Sequence, residues 1–119
     1  MKKLMLTGLF LLLGAFAVFA QNLPSIRIVN NTGHQIFHIF VSPVENEIWG
    51  DDFLGTEGIL ENNQTFTCQL PEPLNKVSMY DVRLVDEEGN SYIKPAVTMT
   101  NNARLIFTFD DLDDDQLLF

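Results

Sequence analysis

The side chains able to do chemistry are few and widely spaced. His34 and His38 stand four apart, Cys68 is the only cysteine, Trp49 the only tryptophan, and carboxylates gather at Asp51 and Asp52, at Asp86 to Glu88, and from Asp110 to Asp115. On a helix the two histidines would share a face, but their neighbours read as a strand. Four strand residues span about 13 Å, too far for both imidazoles to hold one ion. Structural or surface roles are expected for both, because zinc sites use three or four ligands and no cysteine or histidine cluster completes one. There is no nucleophile elbow, P-loop or dinucleotide fingerprint, and Ser42, Ser78 and Ser91 have no recognisable base beside them. A glycosidase needs two carboxylates across a cleft, and a small two-layer domain leaves little depth for one. The chain is therefore expected not to be an enzyme.

Calcium asks less of geometry, since it takes six to eight oxygens loosely arranged. None of the three carboxylate groups matches an EF-hand loop. Adjacent carboxylates on a strand point to opposite faces, so at most one of Asp51 and Asp52 aims at a given ion unless the loop curls. The run "DDLDDD" reads as the start of a solvated acidic tail over 110–119. Calcium or small-ligand binding by loop carboxylates is thus the alternative function, and no other cofactor is expected.

The segment "EIWGDDFLG", residues 47–55, holds the best binding candidates: Trp49, Asp51 and Asp52. It lies in a crossover of about twenty residues, longer than a hairpin requires. Such a crossover is expected to pack an apolar anchor on a sheet edge, with Ile48, Trp49, Phe53 and Leu54 as candidates, while the aspartates accept hydrogen bonds from loop amides. The competing reading makes Trp49 a contact surface with Asp51 and Asp52 as its polar rim, because tryptophan is enriched where partners dock.

The elements that must carry these residues are short apolar runs closed by turn residues. "SIRIVN" (25–30) is followed by the turn "NNTG". "HQIFHIFVSP" (34–43) is apolar on both faces, with Ile36 and Phe40 on one and Phe37, Ile39 and Val41 on the other, which predicts a central strand. In "QTFTCQLP" (64–71) the period of two puts Cys68 on the apolar face, and no basic neighbour lowers its pKa, so it is read as a buried small residue. "VSMYDVRLVDEEGNSYIKP" (77–95) is a hairpin around "DEEGN", with Tyr80, Val82 and Leu84 inward and Asp81 and Arg83 outward. "AVTMT" and "NARLIFTFDD" form a last pair joined through Asn101 and Asn102, with Leu105, Phe107 and Phe109 toward the core. Six to seven short strands predict an all-β fold, an antiparallel β-sandwich of immunoglobulin-like size over 21–109. A small closed barrel is the other architecture open to this pattern.

Residues 1–20 read as a signal peptide: Lys2 and Lys3 lead an apolar run from Leu4 to Phe19 that ends in Ala20. Cleavage is expected before Gln21, with a cut after Ala17 the poorer choice. The core of about 16 residues falls short of the roughly 20 that span a bilayer, so no stable membrane span is expected after cleavage. Cys68 lies far from the leader, so no lipid anchor is expected. The mature chain would have 99 residues, and losing Lys2 and Lys3 takes the formal charge from −9 to −11. That balance repels phosphate backbones, so nucleic acid is not an expected partner, whereas cations and basic proteins are suited.

"VNNTGHQIFHIFVSP", "WGDDFLG" and "YDVRLVDEEGN" together resemble a group of small exported bacterial proteins. These share an asparagine-threonine-glycine turn, an aromatic strand ending in serine-proline, a tryptophan-glycine-aspartate loop and a "YD-R-VDE-G" hairpin. The similarity covers most of residues 26–90; the phenylalanine-rich end departs from the pattern. The resemblance implies a β-sandwich and brings no catalytic residues with it. Together these readings make the chain a periplasmic or secreted, non-enzymatic binding or envelope interaction module that uses the Trp49 loop on an envelope or extracellular protein.

Overall fold

The computed structural model describes residues 23–74 and 78–113. The leader expected at 1–20 and the acidic run beyond Asp113 lie outside the described residues. Six strands and a short 3-10 turn follow one another: β1 (Ser25–Asn31), β2 (Ile36–Pro43), β3 (Thr65–Gln69), β4 (Met79–Asp86), β5 (Ser91–Thr98), β6 (Ala103–Thr108) and η1 (Phe109–Asp111). They form two three-stranded sheets, β3-β1-β6 and β2-β4-β5. Among the described residues no helix is long and apolar enough to cross a membrane.

Alternation of apolar residues decides which face each strand buries. Ile26 and Ile28 of β1 and Phe107 of β6 meet Ile39 and Val41 of β2, Tyr80, Val82 and Leu84 of β4, and Tyr92 of β5 in one hydrophobic cluster shared by both sheets. Each fully buried isoleucine or leucine there stabilises the fold by about 1.5–3 kcal/mol. Cys68 belongs to the same cluster, and burial pushes its thiol up to about 11. It stays protonated at neutral pH and packs as a small apolar group.

Several sequence expectations need correction. The sheet of β2, β4 and β5 is antiparallel throughout, but in the other sheet β1 pairs antiparallel with β3 and parallel with β6. A parallel pair needs a long connection, and everything from β2 to β5 supplies it. β4, not β2, is the central strand of its sheet. β2 is an edge whose two-faced apolarity has another cause: a register shift between Ile36 and His38 changes the phase of the alternation. Ile36, Ile39 and Val41 consequently all reach the core, while Phe37 and Phe40 are half-buried on other sides.

The final pair also differs. "AVTMT" does not open a new strand, since Ala96, Val97 and Thr98 continue β5 past Pro95. Proline is tolerated on an edge strand, where its missing N–H breaks no ladder bond. The register shifts between Tyr80 and Val82, where Ala96 takes φ 50° and donates its N–H to Asp81 Oδ1. Asn101 and Asn102 then carry the chain to the other sheet: Asn101 Oδ1 accepts from Ser25 N, and Asn102 N donates to Ser25 O. Phe107 is buried as expected and Leu105 packs against the core, but Phe109 is 57% exposed because the chain turns into η1 there. Thr108 caps that turn through a capping box with Asp111, and Leu112 packs against the core. Residues 110–113 are therefore docked, although the sequence reads them as the start of a solvated tail.

Candidate functional site

The long crossover between β2 and β3 closes over the free edge of β2, and Asp52 is its fastener. Asp52 Oδ1 accepts from Ile39 N at 2.9 Å and Leu54 N at 3.0 Å, Asp52 Oδ2 lies 2.7 Å from His38 Nδ1, and Phe53 N donates to Ile39 O at 2.8 Å. The crossover thus covers the β2 edge at two residues, Ile39 here and Ile36 through a backbone bridge to Leu60, which is how natural sheets blunt an edge. Phe53 and Leu54 pack against the core as the apolar anchors. Ile48, expected among them, is 78% exposed and only its carbonyl is held, by the Ser42 hydroxyl.

Trp49 rests half-buried on the outer face of the β2-β4-β5 sheet. His38 stacks on Phe40 with centroids 6.2 Å apart, Phe40 meets Trp49 at 6.3 Å, and the Arg83 guanidinium lies 5.8 Å from the Phe40 ring and 5.9 Å from the Trp49 ring. Arg83, expected simply to face water, is covered by two rings and donates Nε to Ser91 Oγ at 2.9 Å. A cation over two aromatic faces strengthens the platform.

Beside this platform opens a cleft of about 480 Å³, lined by Val41, Pro43, Trp49, Phe53, Pro71 and Tyr80, with Asp51, Asp52 and Glu72 among its polar residues. A smaller hollow of about 110 Å³ continues it past Pro43 and Tyr80 to Glu45 and Glu72. Burial, then the negative charges of Glu72 and Glu45, push the Tyr80 phenol up, which keeps it a neutral hydrogen-bonding group. The structure brings Trp49, Asp51 and Asp52 to one cleft, but in different roles: Asp51 is exposed at the rim, whereas Asp52 is the loop fastener. Glu45 and Glu72 went unread in the sequence, and Tyr80 and Arg83 were read only as an inward and an outward hairpin residue. Glu72 sits next to Pro71, and no local pattern ties it to Trp49 more than twenty positions earlier.

The far end of the β2-β4 pairing carries a second polar constellation. Asp86, 2% exposed, accepts from Glu88 N, Asn90 N, Asn90 Nδ2 and the Tyr92 hydroxyl. Burial acts to raise its pKa, but these four bonds outweigh it and hold the carboxyl below its ordinary value. Asn30, fully buried, donates Nδ2 to His34 O and Leu60 O, and its Oδ1 accepts from Thr32 N and Oγ1. His34 Nδ1 lies 3.0 Å from Glu87 Oε1; that hydrogen bond raises the imidazole pKa against partial burial and lowers that of Glu87. Among the described residues His34, Asp86 and Glu87 form a group whose ligand atoms lie within 4.8 Å of one another. The Asp86 oxygens are engaged by four donors and the other two residues bind each other, so the group is a turn fastening.

No family model matches the sequence, and no curated protein matches it. Among solved structures the chain is similar to the NMR structure of a protein from Eubacterium rectale, with a TM-score of 0.53 and 14% identity over 74% of this chain and 79% of that one. Likeness at this identity is likeness of fold. The described residues thus make a mostly-β protein with two three-stranded sheets.

Proposed function

We propose that this chain is an exported, non-enzymatic binding module: a β-sandwich of immunoglobulin-like size that engages an envelope or extracellular protein through the Trp49 loop. The signal-like leader and the motifs shared with small exported bacterial proteins support a periplasmic or secreted location. The observation that carries the binding role is the placement of Trp49, half-buried on an aromatic and guanidinium platform at the mouth of an apolar cleft. Held this way the indole has lost its freedom before any partner arrives, which lowers the ordering cost of association. Of the two hydroxyl-bearing residues that line the cleft, Ser42 and Tyr80, Ser42 donates Oγ to Ile48 O, and His38 Nδ1 faces Asp52. These side chains hold the loop and are not set against one another as nucleophile and base. The calcium alternative has less support, because the Asp52 oxygens already face Ile39 N, Leu54 N and His38.

The test compares capture of envelope proteins by the immobilised mature chain, by Trp49→Ala and by Glu88→Gln, with melting curves confirming that all three are folded. Trp49→Ala is expected to lose a captured protein that Glu88→Gln retains. Equal capture by all three would remove the Trp49 loop from any docking role.

A further inference from the structure

The edge of β2 is only partly covered. Ile39 turns both its N–H and its C=O away from β4, to Asp52 Oδ1 and Phe53 N, and the β2-β4 register runs without a shift from His38 to Pro43. In a regular antiparallel ladder outward groups recur every second residue. Val41, itself 7% exposed, therefore turns its N–H and C=O toward the same edge, and it lines the cleft. The loop ends this slot on one side, and Pro43, which has no N–H, ends it on the other.

The walls of the slot select what can enter. Trp49, Phe53, Pro71 and Tyr80 offer apolar surface, while Asp51 and Glu72 are exposed carboxylates, joined by Glu45 where the hollow continues. Among the described residues no lysine or arginine lines either space, and the whole chain carries −9. An anionic or acidic ligand would meet the repulsion of these carboxylates, whereas a cationic side chain would meet complementary charge.

We infer that the cleft takes an extended, basic segment of a partner protein. One residue of the segment pairs with the open backbone of Val41, an apolar side chain lies against Trp49 and Phe53, and a lysine or arginine reaches Asp51 and Glu72. This is strand addition limited to a short stretch, with the main chain supplying position and the side chains supplying selection. The inference rests on the proposed binding role and names the chemistry of the occupant.

Trp49 is the only tryptophan, so its emission reports on the cleft directly. The probe is a short end-blocked peptide alternating lysine and valine, titrated at low and physiological salt beside its glutamate counterpart and a copy N-methylated at its central amides. The lysine peptide is expected to change Trp49 emission saturably, and the glutamate peptide to leave it flat. The N-methylated copy should bind more weakly than its parent. Asp51→Asn and Glu72→Gln should each weaken binding about two- to fivefold, the range of an exposed ion pair, while Glu88→Gln on the distant hairpin turn leaves it unchanged. The inference is overturned if both peptides bind alike, if Glu88→Gln weakens binding as much as Asp51→Asn, if N-methylation has no effect, or if no saturable change is seen. Should Trp49-dependent capture persist while the lysine peptide leaves emission flat, the assigned occupant is wrong and the binding role stands. Loss of both removes both.

Discussion

Two aspartates that cap backbone amides fasten the β2-β4 pairing, Asp86 at its hairpin end and Asp52 part-way along β2 at Ile39, but to different depths. At the hairpin end Asp86 is buried and takes four hydrogen bonds, backed by the fully buried Asn30 with its four. Part-way along β2 Asp52 is half-buried, holds two amides and faces a histidine that is 48% exposed on its side chain, and beyond it lies the cleft that Val41 lines. A buried polar group whose bonding capacity is filled locks one geometry. A lighter fastener leaves strand edge and apolar wall for something else to cover. The same residue type thus serves rigidity at the hairpin end and access beside the cleft.

The sharpest way to break this comparison is Asp86→Ala, which strips partners from the Tyr92 hydroxyl and two amides in a buried setting. It should lower unfolding stability by about 3 kcal/mol, read by urea denaturation, a large share of what a domain of this size has. Asn30→Ala should follow at about 2 kcal/mol by the same measurement, since it removes one donor each from the Leu60 and His34 carbonyls and the acceptor of the buried Thr32 amide and hydroxyl. Asp52→Ala should cost about 1 kcal/mol and, unlike the other two, shift Trp49 emission because the loop loosens. If Asp52→Ala proves as damaging as Asp86→Ala, the contrast in depth is wrong.

Acidity sharpens the same contrast. The folded Asp86 carboxyl is held below its unfolded value, so its contribution is present above that value and is lost as pH falls through the folded one. Stability should therefore decline below about pH 4, and Asp86→Asn should flatten that limb of the urea-versus-pH curve. His34 runs the opposite way: its raised folded pKa gives a contribution present below about pH 6.5 that fades as pH rises through the folded value. The pair is solvent-exposed, so this slope is small. An NMR titration should show the His34 midpoint falling toward its ordinary value in Glu87→Gln. The smallest effect is that of Asp51→Asn, which should leave stability within about 0.5 kcal/mol because Asp51 is an exposed rim residue.

The turns were legible where one residue type acts on its own neighbours. Asp52 capping Leu54 two residues on, and Asp86 capping Glu88 and Asn90, follow the habit of aspartate in turns. The inward set Tyr80, Val82 and Leu84 followed from alternation alone. What escaped was set by partners far along the chain. His38 reads as an isolated polar residue until Asp52 comes beneath it, and Arg83 reads as a surface charge until Phe40 and Trp49 cover it. Of the cleft, Trp49, Asp51 and Asp52 were legible, while Glu72, Glu45 and the open backbone of Val41 were not.

By itself the sequence determined that the described chain is β, where most strands begin and end, that Cys68 is buried, and that a long crossover carrying Trp49 follows the strand ending at Pro43. Those properties are local, because side-chain period and turn chemistry act over a few residues. Only the tertiary structure decided that β2 is an edge and β4 central, that β1 and β6 run parallel, that Ala96 to Thr98 continue β5, and that carboxylates more than twenty positions apart share one rim. Strand order and register are chosen by the burial of all the faces at once, and a shift of one position between Ile36 and His38 is enough to redirect which side chains the core receives.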